Sequence, residues 1–539
     1  WKKAVVYQIY PRSFQDSNGD GIGDIPGMIQ RLPYLQKLGI DCIWLSPVCK
    51  SPQDDNGYDI SDYQDVDKMF GSLEDMECLI EEAGKRGIGI LLDLVLNHTS
   101  DEHPWFLEAK KSRENPYHDY YVWRDGTADK VPNELTSVFR GPAWEWVPEL
   151  GQYYFHQYSV RQPDLNWNNE RVRRALYEVV EMVNWWLDKG VSGFRLDVID
   201  QIAKEPDRKI TSNGPRLHEF IREMNRETFG GGNYLTVGEA WGADTEKAKQ
   251  FSNPDGSELS MVFQFEHICL DQKPGGDKWD LAPLPFVTFK KVWEKWQQKL
   301  CGKGWNSLFW NNHDLPRIVS RWGDDGRYRV ECAKMLGALL HGMQGTPYVY
   351  QGEELGMTNA YMENIADYRD IESLNAYKEL TTKENIPAKT VMGYIKAVGR
   401  DNARTPMQWD ASENGGFTSG TPWLQVNKNY KTINAAAQVN DPDSVFAYYK
   451  KLIALRHTNE VMVNGMYDVL IPDHPQIYAY TRTLGDKQLL VLCNDSDTNV
   501  AIPAELQEKI HAAKNILIQN YKDTDESTLR PYEAVVYAR

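Results

Sequence analysis

The chain has 539 residues, 41% of them hydrophobic, enough to bury a large core across two or three packed units. Its formal net charge of −17 and pI near 5.2 argue against a nucleic acid or an anionic membrane as partner, since both need clustered Lys and Arg. A neutral substrate suits that balance better, and no run of about 18 apolar residues marks a membrane span.

The first segment, WKKAVVYQIY, reads as a strand rather than as a secretory h-region. A cytoplasmic location is expected, with secretion left open because no initiator Met stands at the start. The seven cysteines form no CxxC or other tight ligand pattern, which suits a reducing compartment. Next comes DSNGDGIGD, which sets Asp16, Asn18, Asp20 and Asp24 at alternate positions with Gly21 where a tight loop must turn. This is the opening of an EF-hand-like pattern. Position twelve is Gly27 rather than Glu, so a full EF-hand is excluded. A short loop could still wrap one ion through Asp16, Asn18, Asp20, the Ile22 carbonyl and Asp24, the alternative being a solvated Asx-turn.

The helical IPGMIQRLPYLQKLG, the apolar DCIWLSPV, the helical SLEDMECLIEEAGKRG and the apolar GIGILLDLVLNH follow. Ser72 and Asp75 predict a capping box, and Leu73, Met76, Leu79, Ile80 and Ala83 repeat at helical spacing. This βαβαβ order implies a parallel sheet. Asp93 interrupts the third apolar run, which a buried strand accepts only if the charge has a partner. Residues 100–172, rich in His, Tyr, Trp, Pro and Asn without a helical period, read as an irregular insertion. RVRRALYEVVEMVNWWLDKGVSGFRLDV then predicts a helix running into strand four, and YLTVGE, MVFQF, SLFW and TPYVYQG complete eight strands. Eight βα units make a (β/α)₈ barrel, an α/β fold whose active sites lie at the C-terminal strand ends. The expected organisation is a barrel of residues 1–99 and 173–465, an inserted domain at 100–172 and a C-terminal antiparallel β-domain at 466–539.

Chemistry-bearing residues gather at those strand ends. GFRLDVID sets Arg195 two residues before Asp197, YLTVGEAW delivers Glu239, and NSLFWNNHD delivers His313 and Asp314. Retaining glycoside hydrolysis uses two carboxylates about 5 to 5.5 Å apart, one as nucleophile and one as acid and then base. Asp197, beside Arg195, would be held ionised as nucleophile. Glu239, next to Ala240 and Trp241, would have its pKa raised by desolvation and would donate the proton. Asp314 would stabilise the oxocarbenium-like transition state, with His98 and His313 bonding around the ring. Each residue alone has a bland reading as a cap, an ion-pair partner or a core group; their joint occurrence at successive strand ends does not. No catalytic cofactor is needed.

DLVLNH, GFRLDVID, VGEAW and NNHD resemble the four signature segments of glycoside hydrolase family 13, the α-amylase family, and the resemblance runs over almost the whole chain. QPDLNW at 162–167 is similar to the marker of its oligo-1,6-glucosidase branch, which includes dextran glucosidases, other α-glucosidases, trehalose-6-phosphate hydrolases and sucrose isomerases. The resemblance implies net retention, and it carries Asp197, Glu239 and Asp314 over as nucleophile, acid/base and stabiliser. It further implies that Asp59 in GYDISDY and Arg400 in GRDNARTPMQW close the pocket at the non-reducing end, hence exo-action. Tyr58, Phe139 and Gln162 match lining positions, with His98, Arg195 and His313 as polar contacts; Arg404 is read as structural. Val198, after the nucleophile, goes with α-1,6 preference where threonine goes with α-1,4. Trp241 and Lys278 match leaving-group positions, and residues 268–280 lack the arginine-rich loop of sucrose isomerases. A structural Ca²⁺ or Mg²⁺ at the Asp16–Asp24 loop is also implied. The expected activity is therefore a retaining exo-α-1,6-glucosidase acting on isomalto-oligosaccharides or dextran, with an α-1,4-glucosidase or a sucrose-active hydrolase or isomerase as alternative. A non-catalytic transporter-partner relative would have lost the acids that this chain keeps. A monomer with an oligosaccharide as its only partner is expected, and an oligomer is left open.

Overall fold

In the computed structural model, which describes residues 1–178, 180–513 and 515–539, eight short parallel strands surround a plug of apolar side chains. They are β1 (Val6–Ile9), β2 (Cys42–Leu45), β3 (Gly89–Leu94), β4 (Gly193–Leu196), β5 (Leu235–Glu239), β6 (Met261–Phe263), β7 (Ser307–Leu308) and β8 (Thr346–Tyr350). The hydrogen-bonded order is β6-β5-β4-β3-β2-β1-β8-β7, and a parallel bridge from Val262 to Asn306 joins the two ends. The α/β barrel expected from the alternation of apolar runs and amphipathic helices is thus present.

The two-residue period of a strand decides which side chains face inward. Val6, Trp44, Leu91, Val237, Met261 and Tyr348 fill the interior, while their neighbours Tyr7, Ile43, Leu92 and Phe194 pack outward with the helices. Asp93 is paired in register with Arg195 on β4, and Arg195 with Val237 on β5. Two residues beyond Leu91 and Val237, Asp93 and Glu239 therefore point inward as well. The same alternation that builds the plug lifts three ionisable groups above it.

The predicted capping box is present, and a second helix start has a cap that was not anticipated. Ser72 and Asp75 form the capping box of helix Leu73–Gly84, and Asp24 caps helix Ile25–Leu38 by accepting from the Gly27 N–H. The helix leading to β4 is seen as Glu170–Glu178 and Val180–Asp188; position 179 lies outside the described residues. Between β3 and this helix the chain is more regular than expected. Trp123–Asp125 and Trp144–Val147 flank the central Gln152–Phe155 in an antiparallel sheet, because aromatic runs such as WEWV and QYYF pair well on a half-buried surface.

After β8, helices Ile371–Thr382 and Ala388–Val398 share a small core with Trp279, Met362 and Tyr368 and build one wall of the site. Beyond helix Val445–Thr458 an antiparallel sheet orders Met466–Leu470, Ile477–Leu484, Lys487–Asn494, Ala534–Ala538 and Asn515–Gln519. Lys290, fully buried, ties this sheet to the barrel by donating to the carbonyls of His474 at 2.6 Å and Ile477 at 3.0 Å.

Candidate active site

Arg195, only 1% exposed, is the hub of the rim. Its Nη1 donates to Asp93 Oδ1 at 2.8 Å and to Asp197 Oδ1 at 2.7 Å, and its Nη2 donates to Glu239 Oε2 at 2.6 Å. Asp93 also accepts from Trp44 Nε1 at 3.1 Å and from the Tyr58 hydroxyl at 2.9 Å, which supplies the partners its burial demands. One guanidinium thus serves three carboxylates, and this corrects the expectation that it singles out Asp197 and holds it ionised. Burial pushes the Asp197 carboxyl well above its ordinary value, and the charges of Glu239 and Asp93 add to the effect against the pull of Arg195. Asp93 rises to about 6, again through burial and against Arg195. Protons in such a cluster belong to the group rather than to one acid.

Glu239 has two further donors, the Val198 N–H at 3.1 Å and Trp241 Nε1 at 3.0 Å. Val198 reaches it from a left-handed backbone conformation, φ 37° and ψ 45°, which is strained for a β-branched residue. The turn holds it there, with the Gln201 N–H donating to its carbonyl at 2.9 Å. Trp241 stacks on Phe265 at 3.8 Å and stays 43% exposed, so it marks the open side of the site.

On the opposite wall Asp314 receives Arg400 Nη1 at 3.1 Å, Arg404 Nη2 at 2.9 Å and His313 Nε2 at 3.2 Å. Burial opposes ionisation, but His313 and the two guanidinium groups hold Asp314 well below the usual carboxylate range. Arg404, read from sequence as structural, touches this acid directly. His313 stacks on Tyr58 at 5.2 Å, and Gln8 Nε2 lies 2.8 Å from its Nδ1. With Gln8 donating there, the ring proton sits on Nε2 facing Asp314. Burial pulls the pKa of His313 down to about 3 and that of His98 to about 4, so both rings are neutral hydrogen-bonding groups at neutral pH.

These walls enclose a cavity of about 420 Å³ that Tyr58, His98, Phe139, Val198, Lys278 and Arg400 help to line. Its buried end is closed by Arg400 and an acid, but the acid is Asp55 and not Asp59. Asp55 Oδ1 lies 3.4 Å from Arg400 Nη2, and the Arg400 guanidinium sits over the Phe139 ring at 5.2 Å. Asp59 is fully buried behind the wall, accepting from Ser51 Oγ at 3.0 Å and from the N–H groups of Asp54 at 2.9 Å and Asp55 at 3.1 Å. Three residues of loop separate the two acids, and Asp59 is used to fold that loop and aim Asp55. Gln162 is likewise a support rather than a lining residue, donating to Asp55 Oδ2 at 3.2 Å and to the Tyr58 carbonyl at 3.1 Å. Lys278 is at the wall as expected, paired with Glu372 at 2.6 Å.

A sequence model of the alpha amylase catalytic domain matches residues 8–465. The chain belongs to the α-amylase family. It is 56% identical to an oligo-1,6-glucosidase of Parageobacillus thermoglucosidasius over 100% of this chain and 98% of that one. It is 51% identical to a glucan 1,6-alpha-glucosidase of Streptococcus pneumoniae, with 99% and 98% covered. A solved trehalose-6-phosphate hydrolase of Bacillus licheniformis shares the fold with a TM-score of 0.94 at 47% identity, covering 100% of this chain and 99% of that one. As a member of the α-amylase family this protein is a glycoside hydrolase.

Among the lining residues of this α-amylase-family site that were not singled out in the sequence are Asp55, Tyr158 and Glu372. The adjacent acids Asp54 and Asp55 ahead of an Asn-Gly turn were the available signal for the first; Tyr158 and Glu372 had none. The acidic loop differs from its expected form. Asp16 accepts from the N–H groups of Asn18, Gly19 and Gly21 and from the Thr418 hydroxyl. Asn18 accepts from the Asp20 N–H and Asp20 from the Ile22 N–H, while Asp24 accepts from Ser17 as well as Gly27. Among the described residues no three His, Cys, Asp or Glu side chains converge as metal ligands. The set Asp16, Asn18, Asp20, Ile22 carbonyl and Asp24 is not a preformed cage, since the roughly four lone-pair positions of the Asp16 carboxylate are already taken.

Proposed function

We propose that this glycoside hydrolase is an exo-acting α-glucosidase that removes glucose, with retention, from the non-reducing end of α-1,6-linked isomalto-oligosaccharides. The observation that carries the reading is a blind pocket: Asp55 and Arg400 close one end, Asp197, Glu239 and Asp314 line its wall, and the other end opens past Trp241 and Val138, which are 43% and 50% exposed. A blind end admits a chain terminus and rejects the middle of a polymer. Full-length similarity to an oligo-1,6-glucosidase and a glucan 1,6-alpha-glucosidase supports the linkage, as does Val198 on the lining.

The geometry supports the roles as follows. Asp197 and Glu239 receive neighbouring nitrogens of one guanidinium, which favours the spacing of about 5 to 5.5 Å of retaining enzymes over the roughly 6.5 to 9.5 Å of inverting ones. Glu239 bonds to Trp241 on the open side, where the leaving sugar sits, so it gives its proton to the glycosidic oxygen. Asp197 attacks C1 from the opposite face, forming a glucosyl ester as the C1–O bond breaks. Water then attacks C1, Glu239 takes its proton, and the ester bond to Asp197 is released. In these roles Asp197 acts as the attacking anion and Glu239 as the proton donor, with Arg195 aiming both. Asp314, held ionised, stabilises positive charge on the ring and accepts from sugar hydroxyls.

NMR of fresh hydrolysate should show α-glucose first, and release of glucose from isomaltose should exceed that from maltose or sucrose. β-Glucose appearing first, or faster cleavage of maltose or sucrose, overturns the reading. We also propose a structural Ca²⁺ or Mg²⁺ at the Asp16–Asp24 loop. Its donors are hard oxygens, and turning the Thr418 and Ser17 hydroxyls aside frees lone pairs on Asp16 and Asp24. The seven cysteines, all unpaired, support a cytoplasmic location.

A further inference from the structure

Three separate stretches of chain contribute to one side of the pocket rim, and one side chain joins them. Val138 and Phe139 line the cavity from the tip of the segment between β3 and β4, Lys278 lines it from the loop after β6, and Glu372 from helix Ile371–Thr382. Arg140 follows Phe139 but points away from the cavity. Its Nη2 pairs with Asp277 at 2.7 Å, and its Nη1 with Glu384 at 3.3 Å and Glu379 at 3.4 Å. Asp277 is the immediate neighbour of Lys278; Glu379 lies in the last turn of the helix that carries Glu372, and Glu384 just beyond its end.

The backbone is shaped for this contact. Arg140 has φ 71° and Gly141 φ 86°, and the tight turn is closed by the Ser137 N–H to the Gly141 carbonyl at 2.9 Å and the Arg140 N–H to the Ser137 carbonyl at 3.0 Å. A non-glycine residue in that region costs conformational energy, so contacts made by the turn must hold it. Phe139 is buried against the Tyr158 ring at 5.5 Å and under the Arg400 guanidinium, whereas Val138 is half exposed, and the tip is joined to the helix otherwise by Asn375 Nδ2 donating to the Phe139 carbonyl at 3.3 Å. Without the guanidinium, the carboxylates of Asp277, Glu379 and Glu384 would lose the cation they share beside the tip.

We propose that Arg140 is a specificity-setting positioning residue: by pinning the Val138–Phe139 tip to Asp277 and to the Glu379–Glu384 helix end, it narrows the mouth on the leaving-group side and favours short substrates over long ones. The proposal rests on the α-glucosidase reading above. It assigns Arg140 no contact with the reacting atoms. Because its partners are partly exposed, the latch is held by charge that salt can screen.

The test compares kcat/KM for isomaltose and isomaltohexaose in the wild type, Arg140→Ala, Arg140→Lys and Asp277→Asn, at about 50 mM and about 500 mM NaCl, a range across which surface pairs are progressively screened. Arg140→Ala should raise the ratio of long to short substrate by about threefold or more, the scale of one or two surface ion pairs, through a higher KM for isomaltose rather than a lower kcat. Asp277→Asn should move the ratio part of the way, and Arg140→Lys should restore part of the preference. High salt should move the wild type in the same direction and leave Arg140→Ala unmoved. A ratio unchanged in Arg140→Ala, or lowered, overturns the proposal, whatever happens to Tm. Should Arg140→Ala fail to fold, Asp277→Asn and the salt response of the wild type decide it by the same criterion. If the wild type cleaves maltose and not isomaltose, the linkage reading fails separately, and the ratio is taken with maltose and maltohexaose.

Discussion

Replacing Asp55 by asparagine keeps the shape of the side chain and removes the charge that faces Arg400. The carboxyl is costly where it stands: burial pushes it up to about 7 against the pull of Arg400 and Arg404. Bound glucose would donate hydroxyls to its two oxygens. A hydrogen bond to a charged group contributes about 1.5 to 3 kcal/mol, so weakening two of them costs roughly 3 to 6 kcal/mol, or about a hundredfold to ten-thousandfold in kcat/KM. Tm should hold or rise, because a strained buried acid has gone. Asp59→Asn should do the reverse. Its carboxylate accepts from Ser51 Oγ and from two backbone N–H groups, and an amide has only one accepting oxygen. Losing at least one of these bonds costs about 1 to 3 kcal/mol of stability, while kcat/KM falls by less than about tenfold. Steady-state kinetics on isomaltose, with calorimetry on both variants, decides between the two acids. If Asp59→Asn loses as much activity as Asp55→Asn at unchanged Tm, the closed end has been assigned to the wrong residue.

Five other changes probe the site and its frame. Asp197→Asn should abolish turnover and Glu239→Gln nearly so, the latter still glucosylated by substrates with good leaving groups; substantial residual activity in Asp197→Asn removes it as nucleophile. Val198→Thr should shift preference toward α-1,4 bonds, and an unchanged isomaltose-to-maltose rate ratio shows that the position is not decisive. His341 is fully buried, and neither ring nitrogen has a hydrogen-bond partner. Burial lowers its pKa to about 3, below the unfolded value of about 6.5. The unfolded chain therefore takes up the proton first as pH falls, and between pH 8 and pH 5 this group alone removes about 2 kcal/mol of stability. His341→Leu should lose correspondingly less stability than the wild type over that interval in denaturant titrations, and parallel pH profiles refute the assignment. Chelation should lower Tm, added Ca²⁺ or Mg²⁺ should restore it, and the rate at moderate temperature should change little; no shift in melting counts against the loop as an ion site.

Much of the barrel could be read along the chain because strands and helices carry their own period. Apolar runs carrying Asp93, Arg195 and Glu239 at or next to their ends revealed the parallel strands, and alternation by two, a local property, sets the inward aim of those residues. The capping box at Ser72 and Asp75 is equally local. The sheet inside the insertion and helix Ala504–His511 were less visible, their runs being short and dense in turn residues.

The residue types of the site and the strand ends that present them are contained in the sequence itself, because a strand delivers every second side chain to one face. How those residues share their partners is not. Whether Asp54, Asp55 or Asp59 closes the pocket depends on Arg400, hundreds of positions away, and a loop has no period to tell the three apart. That Arg195 divides its guanidinium among three acids, and that Arg404 reaches Asp314, likewise followed only from packing. Electrostatic pairing acts through space over a few ångströms, and those distances exist only once the barrel has closed.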